Sequence, residues 1–161
     1  MRANNKKKSA LTHILLALMP YSRQNLLLSY SPNRFFNELE RKSGFKTESL
    51  KVAYKRGKSR GLISEPVGKP QLTKLGLRHI QPFAAKELSG KAILMVIFDI
   101  PEQKSTTRTH LRRLLKSWGF EQVQKSVWST NKDYKEALLE TITELQLEEY
   151  VQLYECVHLK E

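Results

Sequence analysis

Cationic and short polar side chains are concentrated in residues 47–60, and this stretch is the part of the chain best equipped for binding chemistry. A helix that enters the major groove of DNA needs cations along its flanks for phosphates and short polar side chains near its start for base edges. This stretch supplies both, and one more lysine follows in a short turn. The residues expected to contact DNA are Thr47, Glu48, Ser49, Lys51, Lys55, Arg56, Lys58, Arg60 and Lys69.

Position along this stretch separates two roles. Ser49 and Lys51, near its start, are the best candidates for base edges, and Glu48 could accept a hydrogen bond from cytosine. The later cations and the turn lysine are expected to contact phosphates. The alternative for the same residues is a solvated basic face on a domain that binds protein.

The distribution of charge supports a polyanionic partner. Residues 1–85 contain 17 Lys and Arg against 4 Asp and Glu, a net charge of +13. Residues 86–161 contain 11 against 12, a net charge of −1. So large a difference predicts two modules, with polyanion binding in the first.

Several other chemistries are excluded or disfavoured. A single cysteine, Cys156, excludes an intramolecular disulfide and a cysteine-rich zinc site, and it is expected to be a small core residue. The four histidines show no metal-ligand spacing, and no apolar run reaches the roughly 18 residues of a membrane span. Lys6–Lys8 ahead of Leu11–Met19 imitates a signal peptide, but the apolar stretch is short, contains His13 and lacks a cleavage pattern. A cytoplasmic protein without a cofactor is expected.

Helical patterns fill most of the first half. An apolar face ends before Pro20, Ser31-Pro32 opens a further helix that Gly44 ends, and the segment 23–30 between them fits either a strand or a helix. The positions expected to point inward are Leu11, Ile14, Leu15, Leu18, Phe35, Phe36, Leu39, Leu50, Val52, Ala53, Tyr54, Leu75, Leu77 and Ile80.

The basic stretch itself is predicted to be a helix followed by a hairpin. Thr47 is expected to cap this helix and Gly61 to end it, with Gly57 weakening its last turn. Two extended segments, Leu62–Glu65 and Gln71–Thr73, are joined by a short basic tip, and Thr73 can cap a final helix. Helix, helix, basic helix, hairpin and helix predict a winged helix-turn-helix domain over residues 1–82.

The second half has the order β-α-β-β-α-β. Its strands are expected near 93–98, 120–124, 126–130 and 150–159, the first buried on both faces, and its helices carry apolar stripes. Trp118 and Trp128 are expected to pack in the core or an interface. This order is ferredoxin-like, so we predict an α+β chain with a ferredoxin-like domain over residues 91–161 and a linker near Pro82–Gly90.

One long stretch of the second half is similar to known families. The segment MVIFDIPEQKSTTRTHLRRLLKSWGFEQVQKSVWST, residues 95–130, resembles the ferredoxin-like subunit of CRISPR adaptation complexes, the Cas-two family. Its FDIPE and SVW motifs resemble more closely the central domain of the PaaX-like repressors of phenylacetate catabolism, where that domain also follows a winged helix. Those repressors continue into a further C-terminal region, so the chain is expected to be truncated after the central domain, and any small-molecule effector is unknown.

The resemblance implies a function and a minority alternative. It implies a homodimeric, double-stranded-DNA-binding transcriptional repressor that pairs through the second domain, with Tyr150–Leu159 as the contact element. In the Cas-two family the aspartate at the position of Asp99 is proposed to hold a divalent metal, which would imply Mg²⁺ and a metal-dependent nuclease or adaptation-complex subunit. An aspartate before a turn also commonly accepts backbone N–H bonds, so enzymatic activity is not the expected reading. A protein-binding adaptor is the third interpretation.

Overall fold

The computed structural model describes residues 7–20, 22–157 and 159, and the chain divides into two compact units, Met1–Ala84 and Ala85–Glu161. The first unit is helical with one small hairpin, and the second combines a four-stranded sheet with two helices. Within the described residues, every helix is too short or too polar to cross a membrane.

The first unit contains five helices and a two-stranded antiparallel hairpin. The segment that fitted either a strand or a helix is a helix, and its cap is the side chain of Ser22, which accepts from the backbone N–H of Asn25 at 3.1 Å. In chain order the elements are α1 (Ala10–Ala17), α2 (Arg23–Tyr30), α3 (Pro32–Ser43), α4 (Thr47–Ser59), β1 (Ile63–Ser64), β2 (Gln71–Leu72) and α5 (Lys74–Ala84).

Most of the predicted inward positions of the first unit form one core. The buried members that the apolar pattern identified are Leu11, Ile14, Leu15, Leu18, Phe35, Phe36, Leu39, Leu50, Ala53 and Ile80. Two predicted positions are wrong: Val52 is 56% exposed and Leu75 is 54% exposed. Both lie on helices whose buried line is formed by other residues, Leu50, Ala53 and Gly57 on α4 and Gly76 and Ile80 on α5.

The predicted helix signals of the first unit are largely confirmed. Gly44 ends α3 in the left-handed conformation with φ of 75°. The hydroxyl of Thr73 accepts from the backbone N–H of Gly76 at 3.1 Å and so caps α5. Gly57 does not shorten α4, because it is buried against Ile63 of the hairpin, where a β carbon would lie 2.7 Å from Cδ1. A larger residue at position 57 would require the side chain of Ile63 to shift.

The second unit has the predicted ferredoxin-like arrangement. Its elements are β3 (Ala92–Phe98), α6 (Ser105–Ser117), β4 (Glu121–Gln124), β5 (Val127–Thr130), α7 (Lys135–Glu144) and β6 (Val151–Val157). The strands lie in the order β4-β5-β3-β6, and every neighbouring pair is antiparallel. This is the strand order that a β-α-β-β-α-β chain adopts when both helices cover one face of the sheet.

The prediction that the first strand of this sheet is buried on both faces is wrong. Leu94, Val96 and Phe98 are buried in one cluster with residues of α6 and α7, whereas the alternate residues of β3 are only half-buried. Both helices cover the same face, so the other face has no layer of the second unit to cover it. Cys156, expected in the core, lies half-buried on that second face opposite Ile93.

The segment predicted as a linker is part of the two units. Pro82 lies within α5, and Glu87 forms an isolated antiparallel bridge with Lys132 of the second unit. The N–H of Leu88 donates to the carbonyl of Asn131 at 2.7 Å. Backbone pairing of this kind leaves no free linker between residues 85 and 90.

Candidate nucleic-acid interface

Helix α4 is held in the first unit by one line of small and apolar residues. Leu50, Ala53 and Gly57 are buried, at intervals of three and four that place them on one side of the helix. The opposite side and both flanks are exposed and carry nearly all of the predicted DNA-contacting residues. The predicted contact residues therefore lie mostly on the solvent-facing part of α4.

The sequence predicted that Thr47 caps α4, and this prediction is wrong. The N-cap position is Lys46, and Thr47 is the first helical residue, with its hydroxyl donating to the carboxylate of Glu40 in α3. The backbone N–H of Thr47 donates to the same carboxylate at 3.2 Å. An anionic side chain at a helix N-terminus is favourable, so Glu40 supplies the cap and joins α3 to α4. Thr47 is thereby occupied within the protein.

The predicted base-reading residues lie at the exposed start of α4. Glu48 and Ser49 are exposed, and the ammonium group of Lys51 lies 3.0 Å from a carboxylate oxygen of Glu48. An exposed pair at this spacing contributes only a few tenths of a kcal/mol. Both side chains can therefore separate at small cost to reach other partners.

Three cations of α4 and its C-terminal end have no carboxylate partner among the described residues. Lys55, Arg56 and Arg60 are exposed. Burial and, to a smaller extent, the guanidinium of Arg60 lower the pKa of His79 in α5. With Lys69 in the hairpin, these cations leave uncompensated positive charge along one surface, which is the condition for attracting a polyanion.

Lys58, unlike these three cations, has a carboxylate partner. Its ammonium group pairs with the carboxylate of Glu65, which also accepts a hydrogen bond from the hydroxyl of Tyr54. These bonds, from Lys58 and then from Tyr54, lower the pKa of Glu65 below its ordinary value. Tyr54 and Lys58 are one turn apart on α4, so a single carboxylate fastens the hairpin to this helix. Sequence reasoning missed this contact because Glu65 is seven residues beyond the nearer partner.

The hairpin has an unusual tip. Val67 is 98% exposed and has φ of 52° and ψ of 37°, the left-handed region that a β-branched residue seldom occupies. Lys69 follows within the same turn and is exposed. The basic tip predicted from the sequence is present, and the backbone strain at Val67 is an additional feature that residue types alone do not reveal.

Asp99, the predicted metal-binding residue, lies directly after β3 in the second unit. It is exposed, and its backbone N–H donates to the carbonyl of Tyr150 at 3.0 Å. Its carboxylate makes no hydrogen bond to the described residues, so it does not accept turn N–H groups as an aspartate at this position often does. Asp99 and Glu149 both line a cleft of about 440 Å³, and this second carboxylate was missed because it is 50 residues away in sequence.

The nearest carboxylate in sequence has another partner. Glu102 pairs with the guanidinium of Arg108 at 3.0 Å, and Arg108 also donates to the carbonyl of Ile100. In the described part of the chain, no three His, Cys, Asp or Glu side chains are grouped so that they could hold a metal ion. Asp99 and Glu149 would therefore need water, phosphate or a second chain to complete a coordination shell.

Comparison with known proteins finds a similarity in the second unit. Residues 93–161 match the family model described as the PaaX protein central Cas2-like domain, which confirms the resemblance carried by the FDIPE and SVW motifs. No curated protein sequence matches the chain significantly. Among solved structures, an uncharacterized protein from Mycobacterium tuberculosis, Rv0674, is similar with a TM-score of 0.40 at 17% identity over 95% of this chain. The chain spans 62% of that protein.

Proposed function

We propose that this chain is a sequence-specific, double-stranded-DNA-binding regulator that represses transcription as a homodimer, and the match of residues 93–161 to the PaaX central Cas2-like domain model supports this. The observation that carries the proposal is the surface of α4. Lys55, Arg56 and Arg60 are exposed there without carboxylate partners in the described structure. A cationic helix with one exposed side is the element that major-groove recognition requires.

We interpret the first unit as a winged helix-turn-helix domain. In this interpretation α3 and α4 form the helix-turn-helix, α4 is the recognition helix, and the hairpin from Leu62 to Thr73 is the wing. The Glu65 carboxylate that joins the wing to α4 supports the interpretation, because a wing must keep a fixed position beside the recognition helix to reach the backbone on the same duplex. For a protein with this function we expect a cytoplasmic location.

The contacts of the proposed complex follow from the exposed positions. Ser49 and Lys51 would reach base edges, with Glu48 able to release Lys51 and accept from cytosine. Phosphates would be contacted by Lys55, Arg56, Arg60, Lys69 and, once Glu65 releases it, Lys58. Thr47 would act indirectly, by fixing the start of α4 through Glu40.

The second unit is proposed to make the homodimer. The half-covered face of its sheet carries Ile93, Met95 and Ile97 on β3, and Tyr154 of β6 is 47% exposed on the same face. A second copy that covers this face, with β6 as a contact strand, would remove the apolar surface from water. A two-fold dimer then presents two recognition helices to a two-fold-related operator, with half-sites spaced by about one or more helical turns.

The experiment that tests this function selects DNA from a random duplex pool with the full-length protein. The wild type is expected to enrich a two-fold-related motif. Replacing two free cations, Lys55→Ala with Arg56→Ala, should abolish enrichment, whereas the matched pair Arg113→Ala with Lys116→Ala on exposed positions of α6 should retain it. The proposal fails when the wild type enriches no motif or when the control pair loses as much as the α4 pair.

A second candidate function rests on the cleft that Asp99 and Glu149 share. Two carboxylates beside a bound phosphate backbone could hold Mg²⁺, which would make the chain a metal-dependent nuclease or a subunit of an adaptation complex. We propose that it does not cleave duplex DNA in Mg²⁺ or Mn²⁺ and that Asp99→Asn leaves DNA affinity unchanged. Cleavage by the folded wild type that Asp99→Asn abolishes would favour this second function.

A further inference from the structure

Val52 is an apolar residue among the cationic residues of α4. It is 56% exposed, and the side chains one turn before and one turn after it are charged: Glu48, Lys55 and Arg56. Leu50, Ala53 and Gly57 form the buried side of the helix, and Val52 is not one of its buried residues. Its exposure makes it accessible to whatever α4 binds.

Val52 is the apolar residue on the outer side of α4. Successive residues of an α-helix are about 100° apart, so Val52 lies about 200° around from Leu50, on the outer side of α4. By the same geometry Glu48 and Lys55 share the outer side with Val52, Arg56 lies toward one flank, and Lys51 and Lys58 lie toward the other. When such a helix lies in a groove, its flanks face the two phosphate backbones and its outer side faces the base edges.

A valine on the outer side of α4 can contact an apolar group of a base, which the neighbouring polar residues do not recognise. It has no hydrogen-bonding group, and the apolar group that bases present in the major groove is the C5-methyl of thymine. Valine in a helix is held almost entirely in one rotamer, so its two methyl groups have fixed positions before binding. A fixed apolar surface can meet one methyl group without losing side-chain freedom.

We propose that Val52 is a specificity-determining residue that reads a thymine in each half-site by packing on its C5-methyl group. The proposal rests on the proposed function, since it requires that α4 lies in the major groove. It adds a base preference to that function: a thymine facing the centre of α4, flanked by the bases that Ser49 and Lys51 contact.

The test combines selection with a double-substitution cycle. Sites are selected with the wild type and with Val52→Ala, and dissociation constants are then measured on the wild-type site with thymine or uracil at the position whose preference the variant loses. Uracil lacks only the C5-methyl group, so the cycle isolates the contact between that group and residue 52. Alanine favours helix, and position 52 is exposed, so the variant is expected to fold.

The proposal is supported when Val52→Ala loses the thymine preference and when the effect of uracil depends on the residue at position 52. Uracil should weaken wild-type binding about fourfold, the value for one buried methyl-sized group, and should change binding by the variant less than twofold. The control is Val123→Ala in β4, a valine that is 57% exposed in the second unit, which should keep the preference. The slope of affinity against salt should be the same for all three proteins, because no charge changes.

Two other outcomes overturn the proposal, and they are distinguishable. When wild type and Val52→Ala select the same motif, or when uracil weakens both proteins equally, Val52 reads no methyl group and the regulator function still stands. When the wild type selects no motif, the proposed function fails, and the thymine contact fails with it.

Discussion

Gly76 of α5 lies directly against the backbone of Leu62, the residue that precedes β1. A β carbon on Gly76 would overlap the carbonyl oxygen of Leu62 and would lie 3.1 Å from its carbonyl carbon. That carbonyl also accepts the backbone N–H of Thr73 at 3.1 Å, so it is fixed by the base of the hairpin. The absence of a side chain at residue 76 therefore sets how closely α5 approaches the hairpin.

Gly76→Ala should destabilise the first unit although alanine is the better helix former. Alanine gains about 1 kcal/mol of helix propensity, but the backbone carbonyl it meets cannot rotate away as a side chain could. We expect a net loss of about 1–3 kcal/mol. Both tryptophans lie in the second unit, so the loss should be seen in unfolding followed by far-ultraviolet circular dichroism and not in tryptophan fluorescence.

Leu75→Ala is the control for that prediction. Leu75 precedes the glycine on the same helix and is 54% exposed, so its truncation should change stability by less than about 0.5 kcal/mol. Equal stability of Gly76→Ala and wild type would show that the close approach of α5 to Leu62 is not as described.

Val67→Asn should stabilise the first unit. A β-branched residue in the left-handed region costs about 1–2 kcal/mol, and asparagine tolerates that backbone with less strain. Val67 is 98% exposed, so no buried contact is lost. We expect a gain of about 1 kcal/mol in the circular-dichroism transition of the first unit. The control is Val123→Asn, at an exposed valine in a strand, which should not increase the stability of the protein. A lower stability of Val67→Asn than of wild type would contradict the strain at the hairpin tip.

Glu65→Gln should weaken the link between the hairpin and α4 in a pH-dependent way. Hydrogen bonds from Lys58 and Tyr54 lower the pKa of Glu65 in the folded state, so its stabilisation is full above the pKa of the unfolded chain. The stabilisation is lost as the pH falls through the lowered folded-state pKa. At pH 7 the variant should be less stable by about 0.2–1 kcal/mol, because the pair is partly exposed. A difference from wild type that persists unchanged at the acid end would contradict this.

Tyr134→Phe should destabilise the second unit. The buried hydroxyl of Tyr134 donates to the carbonyl of Trp118 at 2.8 Å, and the two rings are stacked with centroids 5.1 Å apart. Removing the hydroxyl leaves a buried carbonyl without this donor, which costs about 1–3 kcal/mol. Trp118 makes tryptophan fluorescence the direct measurement of this transition.

The same tyrosine makes the stability of the second unit depend on pH in the alkaline range. Burial raises the pKa of Tyr134 from 10.0 to about 12. Because the folded state holds the proton more tightly, this contribution is complete below pH 10 and is lost as the pH rises toward 12. Tyr134→Phe should therefore lose stability less steeply than wild type across that range, and parallel curves would contradict the assignment.

The sequence predicted the ferredoxin-like order of the second unit because each of its elements carries a local signal. The stripe of Leu111 and Leu115 has helical spacing, and β6 alternates between Val151, which is buried, and Gln152, which is exposed. Which faces of the sheet are covered depends on where both helices pack, and no local pattern contains that information. The half-buried face of β3, and with it the position of Cys156, could therefore not be predicted.

In the candidate interface, the residue types were predictable and the pairings were not. The composition of α4 shows its basic character, so Lys55 and Arg56 could be predicted as exposed cations. The partners of Thr47 and Lys58 come from α3 and the hairpin, and their contacts form only when the chain folds. Val52 was assigned to the core because apolar residues are usually buried, a tendency with many individual exceptions.

The salt dependence of binding to a duplex that carries the selected site tests the central claim most directly. Counterion release predicts that the logarithm of the association constant falls linearly with the logarithm of salt concentration, by about 0.9 per phosphate contacted. Lys55→Ala and Arg56→Ala should each reduce that slope by about one, and Arg113→Ala in α6 should leave it unchanged. Affinity independent of salt, or a slope that Arg113→Ala reduces and the α4 variants do not, would contradict DNA recognition by α4.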